Sequence, residues 1–337
     1  MIIDCHGHFT TAPPGLDAFH RALLDPGADI AGLAAAGTAG MSDDELRAAL
    51  EPEQLRLQRE RGLDLTLFSP QASAMAHHLG GPAVSAAWAR ACNDVIHRAC
   101  GLYPDRFAGV CQLPQSPAGR PADSVAELRR CVEELGFVAC NLNPDPSGGY
   151  WTGLPVTDPS WYPLYEAMVE LDVPAMIHVS ASANPNFHTT GAYYLAADTT
   201  VFMALLTSEL FAAFPALRLI LPHGGGAVPY HWGRYRGLAQ ELGYPPLEDS
   251  VLNNVFFDTC VYGYQGMRLL TEVIPARNIL FGSEMIGAVR GVDPVTGHHY
   301  EDAKRYVDAA PELTDADRAA IYAGNALRVY PRLAARA

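Results

Sequence analysis

Long apolar runs are missing from this chain. Nowhere do about 18 hydrophobic residues follow one another, the length a helix needs to cross a bilayer, so no membrane span is expected. Positive charge is scarce as well: 23 Lys and Arg stand against 37 Asp and Glu, a formal charge of −14. Nucleic acids and anionic membrane surfaces are held by clustered basic residues, and this balance argues against both as partners. An anionic substrate would have to be met by a few local cations rather than by the overall field. Cysteine pairs are absent too. The seven cysteines (5, 92, 100, 111, 131, 140 and 260) are odd in number and scattered, with no C-x-x-C. Several sit in apolar, strand-like runs, where a thiol is a small buried hydrophobe, and a reducing cytoplasm is the expected compartment. No basic segment precedes a hydrophobic stretch, and Asp4 and His6 interrupt the apolar start, so no signal peptide is expected. Without linkers, low-complexity tracts or short tandem repeats, residues 1–337 are read as a single domain.

What is there is alternation. Near-continuous apolar runs lie at 2–8, 65–70, 107–114, 137–144, 174–180, 217–225, 255–260 and 279–285. Such runs suit strands covered on both faces. Between them lie amphipathic helical patterns. "SDDELRAALEPEQLRLQRERG" opens with Ser42 as N-cap and Glu45 three residues on, a capping-box spacing. "DSVAELRRCVEELG" carries apolar residues at 3–4 spacing and stops at Gly136. Eight β–α alternations predict a (β/α)8 TIM barrel, with the excess length housed in the loops after strands, at 9–41, 181–198 and 286–312. An open doubly wound sheet lacks support, because no G-x-G-x-x-G follows the first strand.

In a barrel, the C-terminal strand ends converge on one region. The residues expected there are His6 and His8 (first strand), Asn141 and Asn143 (fourth), His178 (fifth), His223 (sixth), Asp258 (seventh) and Glu284 (eighth). Residues i and i+2 of a strand share a side, so His6 and His8 can grip one ion together. The alternative is a pair of histidines satisfied by backbone carbonyls. His178 and Glu284 would complete a set of three nitrogens and one oxygen, which suits Zn²⁺ best, with Mn²⁺ and Fe²⁺ as alternatives.

H-x-H on strand one, His on strands five and six and an acid on strand eight resemble the pattern of the amidohydrolase superfamily. "MIIDCHGHFTTAP", "NLNPDPSGG", "HGGGAVPYHWGR" and "SEMIGAVRGVDP" are similar to the 4-oxalomesaconate hydratases of its metal-dependent decarboxylase and hydratase branch. The resemblance runs over essentially the whole chain. It implies an amidohydrolase-type barrel with extended βα loops and a lyase of the protocatechuate 4,5-cleavage and gallate routes. That lyase adds water across the C=C of 4-oxalomesaconate or its keto tautomer, giving 4-carboxy-4-hydroxy-2-oxoadipate. Two departures from the superfamily stand out: Glu284 replaces the usual aspartate, and "CNLNPD" offers no lysine to bridge two metals, so one divalent ion is expected.

Such a reaction needs hydroxide at neutral pH, which a divalent ion with an open position makes available. It also needs a proton carrier near the alkene, for which Glu284 and His223 are the candidates. The favoured division gives Glu284 the proton transfer and His223 the enolate, and the sequence does not choose between this and the reverse. Positive charge for a tricarboxylate is expected from Arg234 and Arg290, by bidentate contacts, with Tyr194 as a hydroxyl donor and Asn143 as a further polar contact. A homodimer is the expected assembly on the prevalence of two-fold oligomers alone. Within the superfamily, the rival reading is a non-oxidative decarboxylase of an aromatic or muconate acid. His77, His78, His298 and His299 are read as rim or surface residues.

Overall fold

The computed structural model describes residues 1–38 and 40–336. All eight predicted strands form: β1 (Ile3–Phe9), β2 (Leu65–Pro70), β3 (Phe107–Gln112), β4 (Ala139–Leu142), β5 (Ala175–Ile177), β6 (Leu219–Leu221), β7 (Val255–Asp258) and β8 (Ile279–Leu280). They pair in parallel, in chain order, within one curled sheet. The result is a TIM-barrel-like α/β fold. From β3 onward each strand ends before its apolar run does, because the residues that follow leave the ladder to build loops. His178, His223 and Glu284 all lie in these post-strand positions.

The strands are apolar throughout because both faces are covered. On the convex face, Phe68, Phe107, Ile177, Leu221 and Phe257 pack under helices that supply Trp88, Leu128, Leu164 and Phe202. On the concave face, Ile3, Cys5, Leu67, Met176, Ile220, Phe256 and Leu280 form a second apolar layer. The C-terminal segment seals that layer from below with Ala326, Val329, Tyr330 and Leu333. The polar strand-end residues stand above it.

Local signals were kept. Ser42 caps the helix Asp43–Leu50 with a complete capping box to Glu45. Gly136, at φ +72°, follows the helical stretch that ends at Glu134. The long stretch after β1 holds two helices, Pro14–Leu24 and Ile30–Ala36. All seven cysteines are free and buried. Among the described residues, no helix is long and apolar enough to cross a membrane.

Backbone hydrogen bonds also join the first strand to the segment after the eighth. Cys5 N donates to Phe281 O at 2.8 Å and Glu284 N to His6 O at 2.9 Å. The buried Asp4 carboxylate takes Ser283 N at 3.0 Å as well as the Ser283 hydroxyl.

Candidate metal centre

The site begins with an irregularity in β1. Asp4 lies opposite Thr66, but Gly7 lies opposite Phe68, so β1 carries one residue more than β2 between these points. Side chains alternate faces along a strand, and an extra residue reverses the alternation. Ile3 and Cys5 therefore point into the concave apolar layer, and His6 and His8 point to the same side above them. The bulge fits closely: a Cβ on Gly7 would lie 2.2 Å from Thr66 Cγ2.

Each imidazole has one nitrogen committed. His178 Nδ1 donates to the Val179 carbonyl at 2.8 Å. His6 Nδ1 lies 2.7 Å from Asp258 Oδ2, and His8 Nδ1 lies 2.7 Å from Ser69 Oγ, whose own proton goes to a carbonyl, Gly7 O or Pro70 O. Burial opposes the Asp258 charge, but the hydrogen bond from His6 outweighs it and holds the carboxyl at about 2. The carboxylate is thus an acceptor, and the proton of His6 sits on Nδ1. With the ring protons on Nδ1, the Nε2 lone pairs of the three rings are left to bind a cation. For His8 and His178, burial first, and neighbouring imidazoles next, push the pKa well down.

Those lone pairs face one another. His8 Nε2 is 3.0 Å from His6 Nε2 and 3.2 Å from His178 Nε2. Converging acceptors with no proton between them repel in a buried place, and a cation relieves the repulsion. A Glu284 carboxylate oxygen joins the three nitrogens, all four within 4.8 Å of one another. Neutral imidazoles oriented by Nδ1 partners are the form in which histidine binds metal, so the residues present fit a divalent ion. His6, Asp258 and Cys260 form a second close group. There the same His6 Nδ1 already meets Asp258, and burial, then Asp258, raises the Cys260 thiol far above its usual range. That group supports His6 rather than forming a separate centre.

His223 flanks the trio, its ring centroid 5.4 Å from that of His6 and 5.3 Å from that of His178. Its Nδ1 lies 2.9 Å from Asp198 Oδ2, while Nε2 is buried without a hydrogen-bond partner among the described residues. Burial works to lower this histidine's pKa, but the Asp198 carboxylate outweighs it and the imidazole is raised to about 9. At neutral pH an N–H donor with positive charge therefore faces the site. The turn after it is held by Asp258 Oδ1, which accepts Gly224 N at 2.9 Å. A Cβ on Gly224 would meet Val261 Cγ1 at 2.3 Å.

His223 (φ 53°), Tyr262 (φ 49°) and Glu284 (φ 49°) all occupy the left-handed region. Such conformations are costly for bulky residues and collect at functional sites. Between these three residues opens a cleft of about 350 Å³, lined by His223, Tyr194, Glu284 and Tyr262, with Val261, Leu269 and Val289 as an apolar wall. A smaller opening of about 80 Å³ reaches His8, His178, Tyr194 and Glu284 past Gln71 and Ser73.

The structure brings together His6, His8, His178, His223, Glu284 and Tyr194, whose ring centroid is 5.5 Å from that of His178 and 5.4 Å from that of His223. Three residues expected to contact the substrate, Arg234, Arg290 and Asn143, border neither opening. Arg234, on the helix Trp232–Glu241, and Arg290, beyond β8, are exposed. Asn143 is buried and ties the loop after β4 to the segment after β5: Nδ2 donates to Ser180 Oγ at 2.9 Å, while Oδ1 accepts Asp145 N at 2.9 Å. Three participants were absent from the sequence reading. Ser69, a polar residue ending an apolar run, carried a signal; Asp198, inside a helix, and Tyr262, in a loop, carried none.

The amidohydrolase family profile matches residues 3–332. The chain is 59% identical over 336 residues to the 2-keto-4-carboxy-3-hexenedioate hydratase of Sphingobium sp. (strain NBRC 103272 / SYK-6), covering 100% of this chain and 98% of that protein. It is 31% identical over 210 residues to the gamma-resorcylate decarboxylase of Rhodococcus jostii (strain RHA1), covering 55% of this chain and 60% of that one. Among solved structures, the 4-oxalomesaconate hydratase of Rhodopseudomonas palustris matches with a TM-score of 0.90 at 53% identity, over 99% of this chain and 97% of that one. A 2,6-dihydroxybenzoate decarboxylase from Rhizobium shares the fold, with a TM-score of 0.70 at 22% identity over 98% of each chain.

Proposed function

The chain belongs to the amidohydrolase family, and from that membership we propose that it is a hydro-lyase of aromatic-compound degradation, hydrating the C=C of 4-oxalomesaconate or its keto tautomer to 4-carboxy-4-hydroxy-2-oxoadipate. One observation carries this reading: the likeness to hydratases extends over the whole chain, whereas the likeness to the Rhodococcus decarboxylase stops at about half of it. The curled sheet is read as a (β/α)8 barrel closed between β1 and the segment after β8.

His6, His8, His178 and Glu284 would hold one divalent ion, and three nitrogens with one carboxylate suit Zn²⁺ best, ahead of Mn²⁺ and Fe²⁺. Such an ion supplies Lewis acidity and makes hydroxide available at neutral pH. The chain's own groups do the rest. Glu284 borders the cleft and moves a proton from the attacking water to the α carbon of the substrate. The oxygen bonds to the carbon β to the keto group, and negative charge gathers on the keto oxygen. His223, cationic through Asp198 and lining the cleft, stabilises that charge. Tyr194, whose ring packs beside both imidazoles, adds a hydroxyl donor.

The test is turnover of the tricarboxylate enone by purified protein, followed by the loss of conjugated absorbance and by CO₂ release. Loss of absorbance with no CO₂ is the expected result. Release of CO₂ from this substrate, or from an aromatic acid in its place, would move the chain to the decarboxylases.

A further inference from the structure

Beyond β7, the chain is tied to the end of β8. The Thr259 hydroxyl donates to Gly282 O at 2.8 Å and accepts Gly282 N at 3.0 Å. Val261 N then closes on Thr259 O at 2.8 Å, a three-residue turn. Tyr262 emerges from this turn in the left-handed region, at φ 49°. Its hydroxyl lies 2.8 Å from Glu284 Oε2 and 3.2 Å from Ser283 O. Both are acceptors and the phenol has one proton, which goes to the nearer, charged oxygen. No other protein group donates to the Glu284 carboxylate among the described residues.

We propose that Tyr262 is a positioning residue that fixes the Glu284 carboxylate, so that Oε1 alone is presented to the imidazole trio and the cleft. The proposal rests on Glu284 acting as ligand and proton carrier. A glutamate has three side-chain torsions, and the last is broad and roughly two-fold. Held by nothing, the carboxylate could turn either oxygen, or both, toward the three nitrogens. The bond to Tyr262 removes that freedom and joins two residues that are each in a costly backbone conformation. Such conformations persist only where the surroundings over-determine them. The ties from Thr259 to Gly282 and from Glu284 N to His6 O provide those surroundings.

Tyr262→Phe removes one oxygen and leaves the ring. In the metal-loaded enzyme, kcat is expected to fall about 10–100-fold with KM within about twofold, and metal affinity, read by competition with a chromophoric chelator, to fall about 10–100-fold. The same substitution made in Glu284→Gln, where the charged acceptor is gone, is expected to change metal affinity by less than about twofold. Wild-type affinity and kcat in Tyr262→Phe would overturn the proposal. So would an equal loss of affinity in both backgrounds, which would mean that Tyr262 acts through packing. Chelator competition needs no substrate. A wild-type protein inactive on the enone, combined with the expected affinity pattern, would therefore sink the hydratase reading and leave this one standing.

Discussion

Where each imidazole proton sits decides whether the centre can hold a cation. Asp258, Ser69 and the Val179 carbonyl place all three protons on Nδ1. Asp258→Asn keeps the shape but can offer His6 an amide N–H, which would leave the ring proton on Nε2, in the middle of the trio. Metal affinity is expected to drop about 10–100-fold, measured by chelator competition and metal analysis. Glu284→Gln is expected to cost about 10²–10⁴-fold in kcat, the worth of a positioned acid–base group, with metal still bound through three imidazoles. Full turnover in that variant would take Glu284 out of proton transfer. The cluster that could hold a metal was legible in the sequence because its members are ligand-type residues at the ends of apolar runs. Asp198 and Tyr262 were not, since nothing local marks a helix aspartate or a loop tyrosine as the partner of a residue far along the chain. Arg234 and Arg290 are exposed and border neither opening, so a part for them in holding the substrate's carboxylates is read from sequence alone.

A single element, β1, determines which side of the sheet the centre occupies. The eight strands were legible from apolar runs, and the i, i+2 rule rightly put His6 and His8 together. Strict alternation, however, would have set both opposite Ile3 and Cys5, against the covering helices. The bulge that corrects this leaves no trace in hydrophobicity, because it is a matter of register against β2. Gly7 is its mark. Gly7→Ala sets a methyl against the branched side chain of Thr66, which has little room to yield, and is expected to destabilise by about 1–3 kcal/mol, as overpacking does. Denaturant unfolding measures the loss, and chelator competition shows whether the shift reaches His6 and His8. A stability equal to wild type would mean that β1 tolerates a side chain there. Ser42→Ala is the matching control: loss of the capping box should cost about 1 kcal/mol with unchanged turnover.

Taken as a whole, the molecule has a seam, and the candidate ligands straddle it. β8 is two residues long, and the described hydrogen bonds between β1 and the chain after it run through Cys5, Phe281, His6, Glu284, Asp4 and Ser283. His6 and His8 come from one side of that seam, Glu284 from the other, and His178 from across the sheet. One ion held by all four would therefore fasten β1, β5 and the end of β8 at once, and its removal leaves acceptors facing one another in a buried place. A ligand that binds only the folded state stabilises it by about 4.1 kcal/mol at a thousandfold excess over its Kd. Metal-stripped protein is accordingly expected to melt lower, and to regain its Tm as Zn²⁺ is added, in proportion to the logarithm of free ion. The loss should not be uniform. Amide exchange at Cys5, Phe281 and Glu284 should quicken on stripping far more than at β3 or β4, which carry no ligand, because local opening follows the weakest cooperative unit. Equal protection at the seam with and without the ion would show that the hydrogen bonds alone close it, leaving the ion a purely chemical part.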